Sequence, residues 1–260
     1  MEEPLQRLRG GPGAALLSLL LAFLIGACSG GASNLPPGTR ANSQSSTKLS
    51  SKRTPTPAPC TPVANAIDLV KQSVVRIESF PDAKGQVAAG TGFVIDPDIV
   101  LTNQHVVADT VQRGVLQVRT TFMNNRPAIV GKVVATNDAQ DLALILVDTG
   151  AAPPIVWGND QALTKGTPVA AIGYALDNPG PPMIAYGTFQ QTYVDAPSGE
   201  AYLLTDLALQ HGDSGGPLLN QCGQVVGVDT ARIRGELRAG LAIPEYFAQR
   251  WATEQVAQQK

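Results

Sequence analysis

The stretch QHGDSGGP, at residues 210–217, decides how the rest of this chain is interpreted, and we call it the serine loop. A serine hydroxyl is a useful nucleophile only when a base removes its proton and donors stabilise the oxyanion that forms. Glycines on both sides let the backbone adopt angles closed to other residues, so that nearby N–H groups can point at one spot. We interpret Ser214 as the nucleophile and the amides of Gly212 and Ser214 as an oxyanion hole. The alternative is an ordinary glycine-rich turn.

Only two histidines are available to act as the base. His211 is too close to Ser214 along the chain to reach it while the loop keeps its shape. His105 follows an apolar run, which predicts an imidazole at the end of a buried strand. Asp141 stands directly before another apolar run and is the candidate carboxylate that would fix the tautomer of His105. Asp138 is the nearest competitor, but its setting favours a turn.

The order histidine, aspartate, serine is that of the chymotrypsin-like proteases, and among these the chain resembles the HtrA-type serine proteases. Four stretches carry the resemblance: GTGFVI and LTNQHVV within 90–107, DLAL at 141–144, TD and GDSGGPL within 205–218, and GLAIP at 240–244. The likeness runs from about residue 63 to the C-terminus. It implies a His105, Asp141 and Ser214 triad in a cleft between two barrels.

Short apolar runs separated by Gly, Pro, Asn and Asp predict an all-β fold. Six runs precede a break at 153–160, and six follow it: 74–78, 92–95, 99–102, 115–120, 128–135 and 142–147, then 168–172, 183–191, 201–204, 217–219, 225–229 and 241–243. Helices are predicted only at 64–72 and 245–255. The resemblance implies two antiparallel six-stranded β-barrels of the chymotrypsin-like kind, over about 63–155 and 160–243.

Residues 1–28 have the form of a secretory signal, with two arginines before an uncharged apolar run. That run is shorter than the roughly 20 residues of a typical membrane-spanning helix. Its end, LIGAC, resembles a bacterial lipobox, in which Cys28 becomes the lipidated first residue and several lipid chains hold the protein at a membrane. Cleavage near Ala27 with release into the medium is the alternative, and an uncleaved anchor is a further one.

Residues 29–62 are rich in Ser, Thr and Pro and predict a disordered linker. If Cys28 carries lipid, Cys60 and Cys222 remain, an even number in a compartment that permits disulfides. We predict a Cys60–Cys222 disulfide, with two free thiols or an intermolecular bridge as the alternatives. The cysteines and histidines lack zinc-ligand spacing, so no metal or cofactor is predicted.

The resemblance also indicates how a substrate would bind. In the family, the strand after the serine pairs with the substrate backbone, and here that strand includes Asp229, Thr230 and Ala231. In trypsin-like relatives the residue six before the serine floors the specificity pocket. Here that residue is Ala208, beside Leu209, which predicts a preference for small or medium apolar side chains.

Two positions depart from the family pattern. HtrA-type enzymes usually carry proline in place of His211 and asparagine in place of Asp213. His211 could contact substrate or adjust the serine loop, or be an exposed loop residue. In trypsin-like enzymes the aspartate pairs with a freed N-terminus; here we expect Asp213 to pair with another group or to face solvent. Arg232 could tilt the pocket toward acidic residues, and a plain surface arginine is the alternative.

The composition is 43% hydrophobic and 15% charged with a net charge of −2, and the absence of a basic run excludes a nucleic-acid partner. The sequence predicts a secreted or membrane-anchored bacterial serine endopeptidase that acts outside the cytoplasm on peptides or unfolded proteins, in quality control or in processing one partner. A protease-like module that binds without cutting is the alternative. The chain ends about one helix after Pro244, so we expect no PDZ domain, and the oligomeric state is not predicted.

Overall fold

The computed structural model describes residues 65–123, 127–177, 180–232 and 239–259. The predicted signal at 1–28 and the predicted linker at 29–62 lie outside these ranges, and so do Cys28 and Cys60. Within them, no helix is long and apolar enough to cross a membrane.

The first half of the described chain folds into a closed barrel. Its strands are β1 (Val74–Ser79), β2 (Ala89–Asp96), β3 (Ile99–Thr102), β4 (Gln117–Phe122), β5 (Ile129–Asn137) and β6 (Leu142–Leu146). All neighbours pair antiparallel, in the order β1-β2-β3-β6-β5-β4. The runs form strands because they are rich in β-branched and large apolar residues. Their inward side chains, among them Ile77, Val94, Val100 and Ile145, make one buried core.

The second half repeats this architecture. Its strands are β7 (Pro168–Gly173), β8 (Met183–Val194), β9 (Ala201–Thr205), β10 (Pro217–Asn220), β11 (Val225–Arg232) and β12 (Gly240–Pro244). They close in the order β10-β11-β12-β9-β8-β7, again antiparallel. Leu203, Leu207, Leu209 and Leu218 belong to its core. The predicted fold of two six-stranded antiparallel barrels is therefore confirmed.

A third core joins the two barrels and the last helix. It contains Phe93 and Leu144 from the first barrel, Val228 from the second, and Ala248 and Ala252 from the C-terminal helix. This helix, α3 (Glu245–Gln259), extends beyond the predicted end near residue 255. At the other end of the domain, α1 (Ala66–Val70) lies within the predicted span and continues as a single 3₁₀ turn, Lys71–Ser73.

One helix contradicts the sequence analysis. The segment after β3 forms α2 (Gln104–Gln112), and His105 lies in its first turn rather than at the end of a strand. Val106, Val107 and Thr110 lie on its buried face, a spacing typical of a helix that packs on a barrel. A helix of nine residues carries too short a periodic pattern to stand out between apolar strands. The consequence for the site is that a helix, and not a strand, carries the imidazole.

Candidate active site

Asp141 and His105 are held together by three hydrogen bonds. The backbone N–H of His105 donates to Asp141 Oδ1 at 2.9 Å, and His105 Nδ1 lies 3.0 Å from Oδ1 and 2.9 Å from Oδ2. A carboxylate can only accept, so Nδ1 carries the proton and Nε2 of the neutral ring is left as an acceptor. The imidazole is nearly half exposed, at 48%. A ring fixed in this tautomer can act as a base toward a group in the cleft.

The backbone of Asp141 has an unusual conformation that a buried neighbour supports. Its φ is 52°, in the left-handed region that Asp and Asn tolerate better than most residues. Asn103, which is fully buried, donates from Nδ2 to the Asp141 carbonyl at 2.9 Å. This places the carboxylate at the N-terminal end of α2, where it meets both the backbone and the ring of His105.

Thr230 connects this pair to Ser214. Its hydroxyl donates to Asp141 Oδ2 at 2.6 Å, and its carbonyl accepts the hydroxyl proton of Ser214 at 2.9 Å. Among the residues that the structure describes, Ser214 Oγ makes no hydrogen bond to His105. Thr230 thus links Ser214 to the Asp141–His105 pair, with the serine hydroxyl directed at the Thr230 carbonyl.

The serine loop presents two amide groups. Gly212 and Gly215 have φ values of 97° and 85°, which glycine adopts without strain. The N–H groups of Asp213, Gly215 and Gly216 all donate within the fold, whereas those of Gly212 and Ser214 have no acceptor in the described part of the chain. Two amides without acceptors beside a serine can stabilise developing negative charge.

Two carboxyl groups are buried at the serine loop, one of them on the loop itself. Asp213 is 7% exposed and accepts a hydrogen bond from the Gln210 amide at 2.8 Å, so the alternative that it faces solvent is wrong. Burial raises its pKa. Asp229 is 1% exposed, and neither of its carboxylate oxygens has a hydrogen-bond partner among the described residues. Burial, followed by the negative charge of Asp213, raises the pKa of Asp229 well above its usual value.

A family model provides the decisive comparison. The model for a trypsin-like peptidase domain matches residues 90–228, more than half of the chain. The chain belongs to the trypsin-like peptidase family. Within it, the relatives below confirm the predicted HtrA-type protease domain.

Two relatives illustrate the range of similarity. The "Probable periplasmic serine endoprotease DegP-like" of Chlamydia trachomatis is 35% identical over 169 residues, which cover 62% of this chain and 32% of that protein. "Serine protease HTRA1B" of Danio rerio is 30% identical over 197 residues, covering 70% of this chain and 39% of that protein. The trypsin-like peptidase therefore spans only about a third of the length of these relatives.

Solved structures share its fold. "HtrA-type protease AlgW with tripeptide" superimposes with a TM-score of 0.66 at 22% identity, covering 76% of this chain and 64% of that one. The same protease with a decapeptide gives a TM-score of 0.63 at 20% identity, with coverages of 75% and 67%. At such identities the likeness establishes the two-barrel fold.

The residues predicted to bind substrate occupy different environments in this trypsin-like peptidase. Ala208 and His211 are exposed, whereas Leu209 is 5% exposed and packs against Gly240 in the second barrel. The His211 carbonyl accepts a hydrogen bond from Leu176 N at 2.7 Å. Thr230 is buried, and Ala231 pairs with Leu241 of β12. The side chains of Ala231 and Arg232 lie outside the described part.

A pocket of about 230 Å³ is lined by Gln140 of the first barrel, by Glu200, Tyr202 and Ile243 of the second, and by Phe247 of α3. The Tyr202 hydroxyl donates to Glu200 Oε2 at 2.9 Å. Burial and this carboxylate raise the pKa of Tyr202 to about 12, so its hydroxyl stays protonated at neutral pH. No group of three or more metal-ligating side chains occurs in the described ranges.

Cys222 is disulfide-bonded. Cys28 and Cys60, the other two cysteines, both lie outside the described ranges, so a bridge to Cys60 stays a prediction. Gly223 packs closely against the backbone of Ala66, where α1 begins. The turn that carries Cys222 therefore lies against the first described residues of the chain.

Three residues of the site were missed by the sequence analysis as contributors of side chains. Thr230 was predicted for its backbone, and neither Asn103 nor Thr91, whose hydroxyl donates to the Gly212 carbonyl, was singled out. Their partners are 38 to 121 positions away along the chain. The only local sign of these roles in the sequence was a polar residue within an otherwise apolar run, a pattern that is equally typical of the end of a strand.

Proposed function

We propose that this trypsin-like peptidase is a serine endopeptidase in which Ser214, His105 and Asp141 form the catalytic triad. The observation that carries this proposal is the Asp141 carboxylate, which accepts from both the backbone and Nδ1 of His105 and leaves Nε2 as the base. The match to the trypsin-like peptidase model and the words "serine endoprotease" in the name of the chlamydial relative support the same chemistry.

The reaction would begin with a rotation of the Ser214 side chain from the Thr230 carbonyl toward His105 Nε2. His105 then takes the hydroxyl proton as Ser214 Oγ attacks the peptide carbonyl, and Asp141 stabilises the imidazolium. The amides of Gly212 and Ser214 stabilise the oxyanion. His105 gives the proton to the leaving amine, and water repeats the sequence on the acyl-enzyme.

The substrate backbone would pair with β11 near Thr230 and Ala231. β10 pairs with β11 only as far as Val228, and the chain before β10 turns into the serine loop. The edge of β11 beyond this point is therefore the place where an extended peptide can add as a strand. The N–H and carbonyl of Asp229 already bond to Gly216 and Gly215, so this residue anchors the serine loop and the substrate would pair with β11 only beyond it.

Small or medium apolar residues are the preferred side chains before the cut. Ala208 offers no charge, and the buried, apolar Leu209 contributes bulk next to Gly240. His211, an exposed residue of the serine loop, would contact the substrate at the rim of the pocket. These assignments predict poor cleavage after lysine and arginine.

The enzyme would act outside the cytoplasm of a bacterium, on peptides or unfolded proteins. The signal-like residues 1–28 would end in a lipidated Cys28, and residues 29–62 would act as a spacer. The word "periplasmic" in the name of its chlamydial relative supports an extracytoplasmic location. The Cys60–Cys222 bridge is supported by the contact of Gly223 with Ala66, six residues after Cys60.

The test compares the full chain with its Ser214→Ala variant on unfolded casein and on a diverse peptide mixture. Cleavage should be lost in the variant, and a fluorophosphonate probe should label only the unchanged chain. Ser198→Ala is the matched control, because it removes the hydroxyl of an exposed serine on another loop. Cleavage that survives Ser214→Ala would contradict the proposal. The cut sites report the specificity.

A second candidate function is a protease-like module that is latent or that binds without cutting. It is favoured by the Ser214 hydroxyl, which donates to Thr230 rather than to His105. Capture experiments with Ser214→Ala distinguish the biological roles: one dominant partner indicates processing, whereas many unfolded partners indicate quality control. Binding by the unchanged chain, without cleavage and without labelling of Ser214, would favour the module.

A further inference from the structure

Hydrogen bonds to the backbone carbonyls fix the peptide groups of the serine loop. Every carbonyl from residue 211 to residue 214 accepts a hydrogen bond. The donors are Leu176 N for residue 211, Thr91 Oγ1 for residue 212, Gly216 N for residue 213 and Thr91 N for residue 214. One residue of the first barrel, Thr91, therefore supplies two of the four donors.

Thr91 is a fully buried residue of β2. Its hydroxyl donates to the Gly212 carbonyl at 2.6 Å and accepts from the Tyr174 amide at 3.0 Å. Its backbone amide donates to the Ser214 carbonyl at 2.9 Å. The side chain thus joins three segments: β2 of the first barrel, the chain after β7 and the serine loop.

These bonds determine where the free amides point. The C=O and N–H of a trans peptide point in opposite directions, so fixing one fixes the other. The Gly212 N–H belongs to the peptide whose carbonyl, that of His211, accepts from Leu176 at 2.7 Å. Through the Gly212 carbonyl, Thr91 holds the next peptide, which lies between the two peptides that carry the Gly212 and Ser214 N–H groups. Through the Tyr174 amide, it also holds the segment that carries Leu176.

We propose that Thr91 is a positioning residue for the oxyanion hole: its hydroxyl sets the direction of the Gly212 and Ser214 amides from the opposite barrel. This inference rests on the proposed endopeptidase function. Donors that are fixed before the reaction stabilise the oxyanion without reorganisation, and misdirected donors lose most of that benefit. A residue of the first barrel thereby controls a catalytic loop of the second.

The test replaces Thr91 in the full chain by Val, Ser and Cys. Valine keeps the shape but neither donates nor accepts, serine keeps the hydroxyl, and cysteine is a weak donor. With a peptide that the unchanged chain cuts, we expect kcat to fall by about 10- to 100-fold for Thr91→Val, less than for removal of an oxyanion donor itself. KM should change little, Thr91→Ser should stay near the unchanged chain, and Thr91→Cys should lie between.

A peptidyl boronic acid gives a second readout, because its adduct with Ser214 places an oxygen in the oxyanion hole. Its affinity should weaken by the same factor as kcat, whereas a product peptide should bind unchanged to the Ser214→Ala chain with and without Thr91→Val. Thr120→Val is the matched control. Thr120 is also a fully buried threonine of the first barrel that donates to a backbone carbonyl, that of Ile129, but it lies away from the serine loop.

Unchanged kcat in Thr91→Val, a loss confined to KM, or an equal loss in Thr120→Val would overturn the inference. If Thr91→Val does not fold, the kcat values of Thr91→Cys and Thr91→Ser are compared instead, and equal values would overturn the inference. Absence of Ser214-dependent cleavage by the unchanged chain would overturn the proposed function, and the inference with it.

Discussion

Asp213 of the serine loop and Asp229 of β11 both carry buried carboxyl groups, and the negative charge of Asp213 adds to the burial that raises the pKa of Asp229. The two residues bracket Ser214 in the fold. Gly215 N donates to the Asp229 carbonyl at 2.7 Å, and Gly216 N donates to the Asp213 carbonyl at 2.9 Å. Protonation of either carboxyl group removes the electrostatic repulsion between Asp213 and Asp229.

Asp229→Asn should therefore make stability less dependent on pH. A carboxyl group with a raised pKa in the folded state contributes stability that is complete below its unfolded value of about 3.9 and is lost as the pH rises through the folded value. Between the unfolded and the folded pKa values the unchanged chain should lose up to about 1.4 kcal/mol per pH unit more than the variant does. Urea unfolding between pH 4 and pH 8 measures the two slopes.

The control for this prediction is Asp138→Asn, which removes one carboxyl group at an exposed position. Its stability curve should run parallel to that of the unchanged chain. Parallel curves for Asp229→Asn as well would show that the buried carboxyl group is charged at neutral pH, against the direction of its pKa shift.

Thr230→Val should lower kcat by about tenfold or more. The variant keeps the volume of the side chain but removes the donor to Asp141 Oδ2, so the carboxylate that orients His105 loses one of its contacts. Thr230→Ser keeps the donor and should restore kcat. Steady-state kinetics on a cleaved peptide make the comparison, and equal kcat values for Val and Ser would refute the role of this hydroxyl.

The sequence predicted the strands well because the apolar runs are separated by segments with Gly, Pro, Asn or Asp and are shorter than a typical buried helix. The pairing of Asp141 with His105 could also be expected from the sequence, because a histidine after one apolar run and an aspartate before another are local patterns. It did not predict α2, since nine residues beside a strand carry little periodicity.

The roles of Thr91 and Thr230 could not be read from the sequence for a different reason. A threonine within a strand is common. The roles of these two hydroxyls arise because each donates to a group of the other barrel, the Gly212 carbonyl or the Asp141 carboxylate. Asp229 shows the same limit. The strand that contains it was predicted, whereas the burial of its carboxyl group depends on how the two neighbouring strands, β10 and β12, and the serine loop pack around it.

Gly215→Ala should destabilise the domain by about 4 kcal/mol or more, a size that indicates a defect in the core. A Cβ at this position would overlap the Thr91 carbonyl and the Thr102 hydroxyl, and the φ of 85° is unfavourable for alanine. The barrels therefore meet closely because residue 215 has no side chain. Denaturant unfolding and soluble yield measure the loss.

Gly199→Ala separates the steric overlap of an added Cβ from the cost of a positive φ. Gly199 has a φ of 73°, but a Cβ there would meet no atom within 4 Å. The loss in the free energy of unfolding should therefore come from the positive φ alone and amount to about 1–2 kcal/mol. If Gly215→Ala costs no more than Gly199→Ala, the contact between the barrels is looser than the structure indicates.

Glu245→Gln should stabilise the attachment of α3 above neutral pH. Glu245, the first residue of that helix, is 6% exposed, and burial followed by the negative charge of Asp160 raises its pKa to about 7. Its contribution to stability is complete below the unfolded value of about 4.3 and is lost as the pH rises through about 7. Hydrogen exchange of the α3 amides, after correction for the intrinsic effect of pH, should therefore show protection that falls between pH 5 and pH 8.

In Glu245→Gln that fall in protection should be much smaller, because glutamine cannot acquire the charge. Glu254→Gln is the matched control on the same helix: the Glu254 side chain is 58% exposed and pairs with Arg250 on the surface, so its removal should leave the pH dependence in place. An equal change in both variants would mean that the effect arises from the net charge of the helix, and a difference confined to Glu245 would locate it at the buried contact with Asp160.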